Sequence, residues 1–195
     1  MVHASPASAK AVMRLEARAL RRSLAAKDPT AGEAAAKRLP DPVVRTARVV
    51  GGYASRGGEL NPAALLARFQ AAGARVALPV TVGPDQPLVF RASDAGHGHA
   101  PDHLGVPAPP AGAEELRPDL LIVPLLAFDR SGGRLGQGGG YFDRTLATLD
   151  ASGPVFALGL AYAGQEVARV PMEEHDRPLD AILTEKEYIP VRTKA

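Results

Sequence analysis

V-P-L-L-A-F-D-R-S-G-G-R-L-G-Q-G-G-G-Y-F-D-R, residues 123–144, is the stretch on which the reading of this chain turns. An apolar segment at residues 120–123 reads as a strand leading into it, and a helical pattern begins at Tyr141. Six glycines fall between Gly132 and Gly140. Glycine is conformationally costly, so this density implies positive φ angles or backbone brought close to a ligand. A strand feeding a glycine-rich loop that opens a helix presents backbone N–H groups to phosphate. The loop is not of the Walker type, because no Gly-Lys-Ser/Thr follows. Nor is it the dinucleotide fingerprint, because Tyr141 stands where a third glycine would follow Gly136 and Gly138. Arg134 adds a fork-shaped cation suited to phosphate, and Tyr141 a flat ring with a hydroxyl. Asp143 supplies a first-turn carboxylate able to hold a hard cation such as Mg²⁺. A plain solvent-exposed connector is the alternative, and the interleaving of Arg, Tyr and Asp weighs against it.

The 195 residues suffice for one sizeable core, so a single domain over residues 1–195 is expected. The absence of cysteine removes disulfide frameworks, thiolate zinc sites and cysteine nucleophiles together. Residues 1–9 carry no signal-peptide core, and no apolar run approaches membrane-spanning length, so a cytoplasmic protein is expected. A net charge of +2, and a basic segment at residues 10–22 without aromatics, argue against a nucleic-acid partner.

Upstream, Ser8 is expected to cap a helix running to about Leu24, with Met13, Ala17, Leu20 and Leu24 on its buried face. Lys10, Arg14, Arg18 and Arg21 form a neighbouring basic stripe, which by itself reads as a solvated face. Residues 47–53 read as the first central strand, with Gly51-Gly52 and Gly57-Gly58 bracketing its end. Asn61-Pro62 starts a helix that buries Leu65, Leu66 and Phe69 and ends at Gly73. Glu59, between that strand and helix, reads as a surface loop acid. Strands are expected at residues 75–80 and 88–91, the second after a Gly83-Pro84-Asp85 turn. The Gly/Pro/Ala-rich segment 92–117 reads as a loop; His97, His99 and His103 within it lack a carboxylate or cysteine to complete a metal cage. Phe142, Leu146 and Leu149 face the core from the helix at residues 141–149, so Phe142 is read as packing. Residues 155–160 form another apolar strand, and residues 181–184 a last one. Strands alternating with helices argue an α/β fold: one three-layer domain, a mostly parallel mixed sheet with helices on both faces, and a site at the carboxyl ends of the strands.

Phe128-Asp129, Arg134-Leu135-Gly136, Gly138, Gly140-Tyr141 and Asp143-Arg144 together resemble the signature of the 5-formyltetrahydrofolate cyclo-ligase family. The resemblance runs from Lys10 to about Tyr188 and includes the ending Pro171-Met172-Glu173-Glu174-His175-Asp176-Arg177-Pro178-Leu179-Asp180. It implies the same α/β fold and an enzyme that uses ATP and Mg²⁺ to close 5-formyltetrahydrofolate to 5,10-methenyltetrahydrofolate. Lys10 and Arg14 match the family's phosphate-binding lysine and arginine, whereas Arg18 and Arg21 match nothing and are left as surface charge. The implied ATP site is Lys10, Arg14, Arg134, Leu135, Gly136, Gln137, Gly138, Gly139, Gly140, Tyr141 and Phe142. Ala54, Glu59, Gln137 and Tyr141 are the implied folate contacts, Asp143 and Asp180 the Mg²⁺ carboxylates, and Arg134 and Tyr141 the catalytic pair. Two departures stand out: Ala108 replaces the glutamate of a G-[IV]-P-E-P turn, and Phe142 lacks the hydroxyl of the tyrosine common there.

An N-formyl group is an amide and a poor electrophile for the neighbouring N10. Phosphorylating the formyl oxygen turns it into a leaving group, after which N10 attacks, the ring closes and phosphate departs. The protein's task is then alignment and charge neutralisation. The implied partner is a small-molecule folate, with or without a polyglutamate tail, acted on by a monomer with no nucleic-acid or membrane partner. Two other readings compete: a non-catalytic folate-binding relative of the same fold, and an unrelated ATP- or phosphosugar-using enzyme on a similar sheet.

Overall fold

The computed structural model describes residues 6–93, 100–102, 105–173 and 176–191; the histidines at 97, 99, 103 and 175 lie outside these. In chain order the elements are α1 (Pro6–Lys27), α2 (Ala31–Arg38), α3 (Asp41–Thr46), β1 (Val49–Gly51), α4 (Ala63–Ala71), β2 (Arg75–Val80) and β3 (Val89–Ala92). They continue with β4 (Ala100–Pro101), β5 (Pro107–Ala108), β6 (Leu120–Pro124), β7 (Ala127–Phe128), β8 (Arg134–Leu135), α5 (Tyr141–Ala151) and β9 (Phe156–Leu160). A 3₁₀ turn at Ala163–Gln165, β10 (Ala181–Leu183) and β11 (Tyr188–Pro190) close the chain.

Seven strands form one sheet in the order β11-β10-β9-β6-β1-β2-β3. The five inner strands are parallel, and antiparallel β11 and β3 flank them. β6 shows why its sequence is apolar without alternation. Leu120 and Ile122 pack on one face with Leu65 and Phe69 of α4, while Leu121 and Val123 pack on the other with Leu146 of α5. A strand covered on both sides buries both sets of side chains. The three-layer α/β arrangement expected from sequence is therefore present. No helix among the described residues is long and apolar enough to cross a membrane.

The departures from the sequence reading are local. α1 already includes Pro6, so Ser8 lies inside the helix rather than at its cap. Leu20 is 45% exposed and does not belong to the buried face, whereas Met13 and Ala17 pack against Leu126, Ala127 and Leu135. The glycines at the end of β1 serve packing: a Cβ at Gly51 would lie 2.7 Å from the Leu121 side chain, and one at Gly52 2.8 Å from Leu66. Helices α2 and α3 and strand β11 have no counterpart in that reading. Part of the segment expected as a loop is the β4–β5 hairpin, in which Ala108 is buried.

Candidate active site

The chain leaves β1 through α4 toward β2, and leaves the adjacent β6 through α5 toward β9, in opposite directions and over opposite faces of the sheet. The loops part above the carboxyl ends of β1 and β6, the place where open sheets of this kind take ligands. A cavity of about 400 Å³ lies there, walled by Tyr53 and Ala54 after β1 and by Val123, Pro124 and Leu125 from β6 onward.

One end of the cavity is the glycine-rich stretch. Its first half is a small hairpin, not a phosphate cradle: Ala127 pairs with Leu135, Phe128 pairs with Arg134, and Gly132 turns the chain at φ 90°. Asp129 holds this turn. Its buried carboxylate accepts hydrogen bonds from Ser131 N at 2.9 Å, Gly133 N at 3.1 Å and Val170 N at 2.8 Å. Although burial opposes ionisation, these donors and the Ser131 hydroxyl hold the Asp129 carboxyl below its ordinary pKa. The second half, residues 136–140, lines the cavity and enters α5 through Gly140 in the left-handed conformation at φ 66°. The amino end of α5 thus borders the cavity, with Tyr141, Phe142 and Asp143 lining it. Arg144 sits over the Tyr141 ring at 5.1 Å and donates to Gly139 O at 2.7 Å, fixing both. Leu135 and Phe142 contribute packing, the first fully buried and the second set against the α5-side core.

Arg134 is not a solvent-facing arm. Its side chain is only 5% exposed, and its guanidinium donates to the Arg177 carbonyl and to Asp143 Oδ1. Burial lowers its pKa, and the neighbouring Asp143 works the other way. From α1, Arg14 Nε donates to Gly136 O at 3.1 Å, and Arg18 donates to Gln137 Oε1 at 2.9 Å and to its carbonyl at 3.1 Å. The helix therefore grips the loop with Arg14 and also with Arg18, which the sequence alone leaves as surface charge. Lys10 is buried, with its ammonium 2.8 Å from Glu173 and 3.0 Å from Asp176, both of which line the cavity. Burial alone would lower the Lys10 pKa, but these two carboxylates raise it overall.

The other end holds Glu59. It is not a surface acid: its side chain is 8% exposed, against 3% for Arg21, whose Nη1 lies 3.4 Å from Glu59 Oε1. Glu59 Oε2 accepts from Arg56 N at 3.1 Å. Burial raises the Glu59 pKa, and the Arg56 N–H and the Arg21 charge oppose the rise. Arg21, also read as surface charge, is 2% exposed. The spacing did carry a signal, because Arg14 and Arg21 are seven apart and share a helix face.

Asp143 and Asp180 are not brought together. Asp143 lines the cavity, whereas Asp180 precedes β10 at the amino end of the parallel strands, accepting from Ala157 N at 2.7 Å and pairing with Arg177 at 2.8 Å. A hydrogen-bonded carboxylate at that end of the sheet is engaged in strand registration. Among the described residues no three His, Asp or Glu side chains form a group able to hold a metal.

Residues 6–185 match the model of the 5-formyltetrahydrofolate cyclo-ligase family. A 5-formyltetrahydrofolate cyclo-ligase of Escherichia coli K12 is 36% identical over 162 residues, covering 78% of this chain and 86% of the relative. One from Mycolicibacterium smegmatis is 37% identical over 149 residues, covering 73% and 76%. The solution structure of Aquifex aeolicus 5,10-methenyltetrahydrofolate synthetase superposes with a TM-score of 0.81 at 25% identity, covering 95% of this chain and 94% of that one.

Proposed function

Because this chain belongs to the 5-formyltetrahydrofolate cyclo-ligase family, and so converts 5-formyltetrahydrofolate to 5,10-methenyltetrahydrofolate, we propose that the cavity between β1 and β6 carries the reaction, driven by ATP. The observation that supports this reading is the division of one cavity. Lys10, Arg14, Arg134 and a glycine-rich helix N-terminus lie at one end, and the buried Glu59 carboxylate at the other. The exposed backbone N–H groups of a helix start favour phosphate at the first end, whereas at the second the Arg21 cation is already engaged by Glu59.

In this account the backbone of residues 136–140 and the first turn of α5 receive the triphosphate. Arg14 and Arg134 neutralise its charge, and Lys10 exchanges part of its contact with Glu173 and Asp176 for phosphate. Gln137 and Leu135 shape the same end. Glu59, Ala54 and Tyr141 hold the folate so that its formyl oxygen faces the γ-phosphorus. The formyl oxygen takes the phosphoryl group as ADP leaves. N10 then bonds to the formyl carbon, the carbon–oxygen bond breaks to release phosphate, and the N10 proton passes to solvent. Placing the reacting atoms accounts for most of the expected acceleration. The enzyme works as a monomer on a small-molecule substrate in the cytoplasm.

Asp143 fits Mg²⁺, as a 31% exposed carboxylate at the phosphate end. Such an ion takes one or two protein oxygens and completes its octahedron with phosphate and water, and it would offset charge on the nucleotide. Asp180 is left out of this role. Asp143→Asn is expected to raise the Mg²⁺ concentration for half-maximal activity at least several-fold while α5 persists, since an amide oxygen is the weaker ligand. Asp180→Asn is expected to leave that concentration unchanged and to lower stability by about 1 kcal/mol through the Ala157 and Arg177 contacts. Mg²⁺ titrations and urea melts of the two variants, run side by side, read both effects. A raised Mg²⁺ requirement in Asp180→Asn would return it to the metal site.

The reading is tested by following the methenyl chromophore in the near ultraviolet with and without ATP. Formation that depends on ATP supports it. Folate binding without turnover would mark a non-catalytic relative, and ATP hydrolysis unaffected by folate would mark a different substrate.

A further inference from the structure

Three positions meet at the Arg21 guanidinium: Nη1 donates to Leu125 O at 3.3 Å and lies 3.4 Å from Glu59 Oε1, and Nη2 donates to Gly57 O at 3.2 Å. Leu125 follows β6, Gly57 and Glu59 follow β1, and Arg21 itself comes from α1. One buried fork thus ties both sides of the crevice to the helix that also carries Lys10 and Arg14. A charge 2% exposed in a cavity wall is costly unless its partners are fixed, so its position constrains theirs in return.

We propose that Arg21 is a positioning residue for the cyclisation: its guanidinium, braced on Gly57 and Leu125, fixes the Glu59 carboxylate against the folate. The proposal rests on the reading that Glu59 faces the folate. Arg21 does not need to touch substrate for this role. A lysine could keep the charge, but one ammonium cannot match the planar fork that spans Gly57, Leu125 and Glu59.

The arrangement also sets the charge of Glu59. Its surroundings are the Arg21 guanidinium from α1, the Arg56 N–H and side chain on its own turn, and the buried Tyr53 hydroxyl after β1, which donates to Leu60 O at 2.5 Å. Tyr162 contributes from beyond β9 through Arg21. Burial raises the Glu59 pKa, so its ionised form is lost as pH falls through that raised value. Removing the Arg21 cation raises it further, and the acid limb of folate-dependent activity moves to higher pH.

The experiment compares Arg21→Met, Arg21→Lys, Glu59→Gln and the double variant Arg21→Met/Glu59→Gln. Folate kcat/KM is measured across pH, ATP affinity separately, and the Glu59 carboxyl by ¹³C NMR titration, its resonance identified by its loss in Glu59→Gln. Arg21→Met is expected to lower kcat/KM for folate about 10- to 100-fold at neutral pH, the cost of a misplaced reacting geometry. Its acid limb and the Glu59 titration both move upward, and ATP affinity stays within about twofold, as its contacts are intact. The double variant is expected to be no worse than Glu59→Gln. Arg21→Lys should keep the titration midpoint near wild type and still lose kcat/KM, a split that stands even if Arg21→Met does not fold. An unmoved midpoint in Arg21→Met, a double variant showing the product of the single losses, or wild-type kcat/KM in Arg21→Lys would each overturn the proposal. A fully active Glu59→Gln would sink the placement of the folate instead.

Discussion

Glu59→Gln is expected to bind ATP as the wild type does and to lose about 10²- to 10³-fold in cyclisation, the largest separation of the two activities available in this protein. The substitution keeps the volume and one carbonyl acceptor for the Arg56 N–H. It removes the charge that faces Arg21 and leaves that buried guanidinium without its counter-ion. Some loss of stability follows, about 1–3 kcal/mol, because Gly57 O and Leu125 O still satisfy part of the fork. Parallel ATP binding and methenyl formation, with a thermal melt to show that the protein is folded, check the outcome. Cyclisation at the wild-type rate would move the folate to the other side of the crevice.

Arg134→Ala is expected to weaken ATP binding by about 1.5–3 kcal/mol, the worth of a charge-assisted contact to phosphate. Its buried position adds a second effect that an exposed loop arginine would not show. The guanidinium joins Asp143 on α5 to the Arg177 carbonyl in the segment before β10, so its loss opens a gap and frees both. Stability is expected to fall by about 1–3 kcal/mol, and the Mg²⁺ requirement to change as Asp143 loses its anchor. Isothermal titration with ATP analogues and urea denaturation separate the two effects. Unchanged nucleotide affinity in a destabilised protein would make Arg134 a structural tie alone.

What the sequence disclosed follows from how each element is buried. β6 and β9 were legible because strands covered on both faces are continuously apolar, and the glycine-rich stretch between them because its cost demands a reason. α2 was not, since it buries Ala31, Ala35 and Ala36, a face with little hydrophobic contrast to its exposed side. β11 has only Ile189 buried among its three residues, too short a pattern for a period of two to register. β7 and β8 are two-residue strands whose hairpin was hidden by the glycines that turn it.

The site divided in the same way. Arg14, Arg134, Tyr141 and glycines 136, 138, 139 and 140 line one cavity. Arg21 is buried rather than solvated, and so is Glu59, which local sequence alone reads as a surface acid, because a stripe on one helix says nothing about the turn that covers it. Glu173 and Asp176 line the cavity while Asp180, in the same ending, does not, because the course of the segment leading into β10 is set by topology and not by its composition. Contacts between elements far apart in sequence, such as Arg21 with Glu59, are set by topology, and no local pattern encodes them.

In the proposed reaction, ring closure proceeds by transfer of a phosphoryl group from ATP to the formyl oxygen within this cavity. Substrate carrying ¹⁸O in the formyl group, with analysis of the released phosphate after a single turnover, reads the fate of that oxygen. The label is expected in inorganic phosphate, one atom per methenyl product, with Glu59→Gln slowing its appearance without redirecting it. Label recovered in water, with unlabelled phosphate, would rule out phosphoryl transfer to the formyl oxygen.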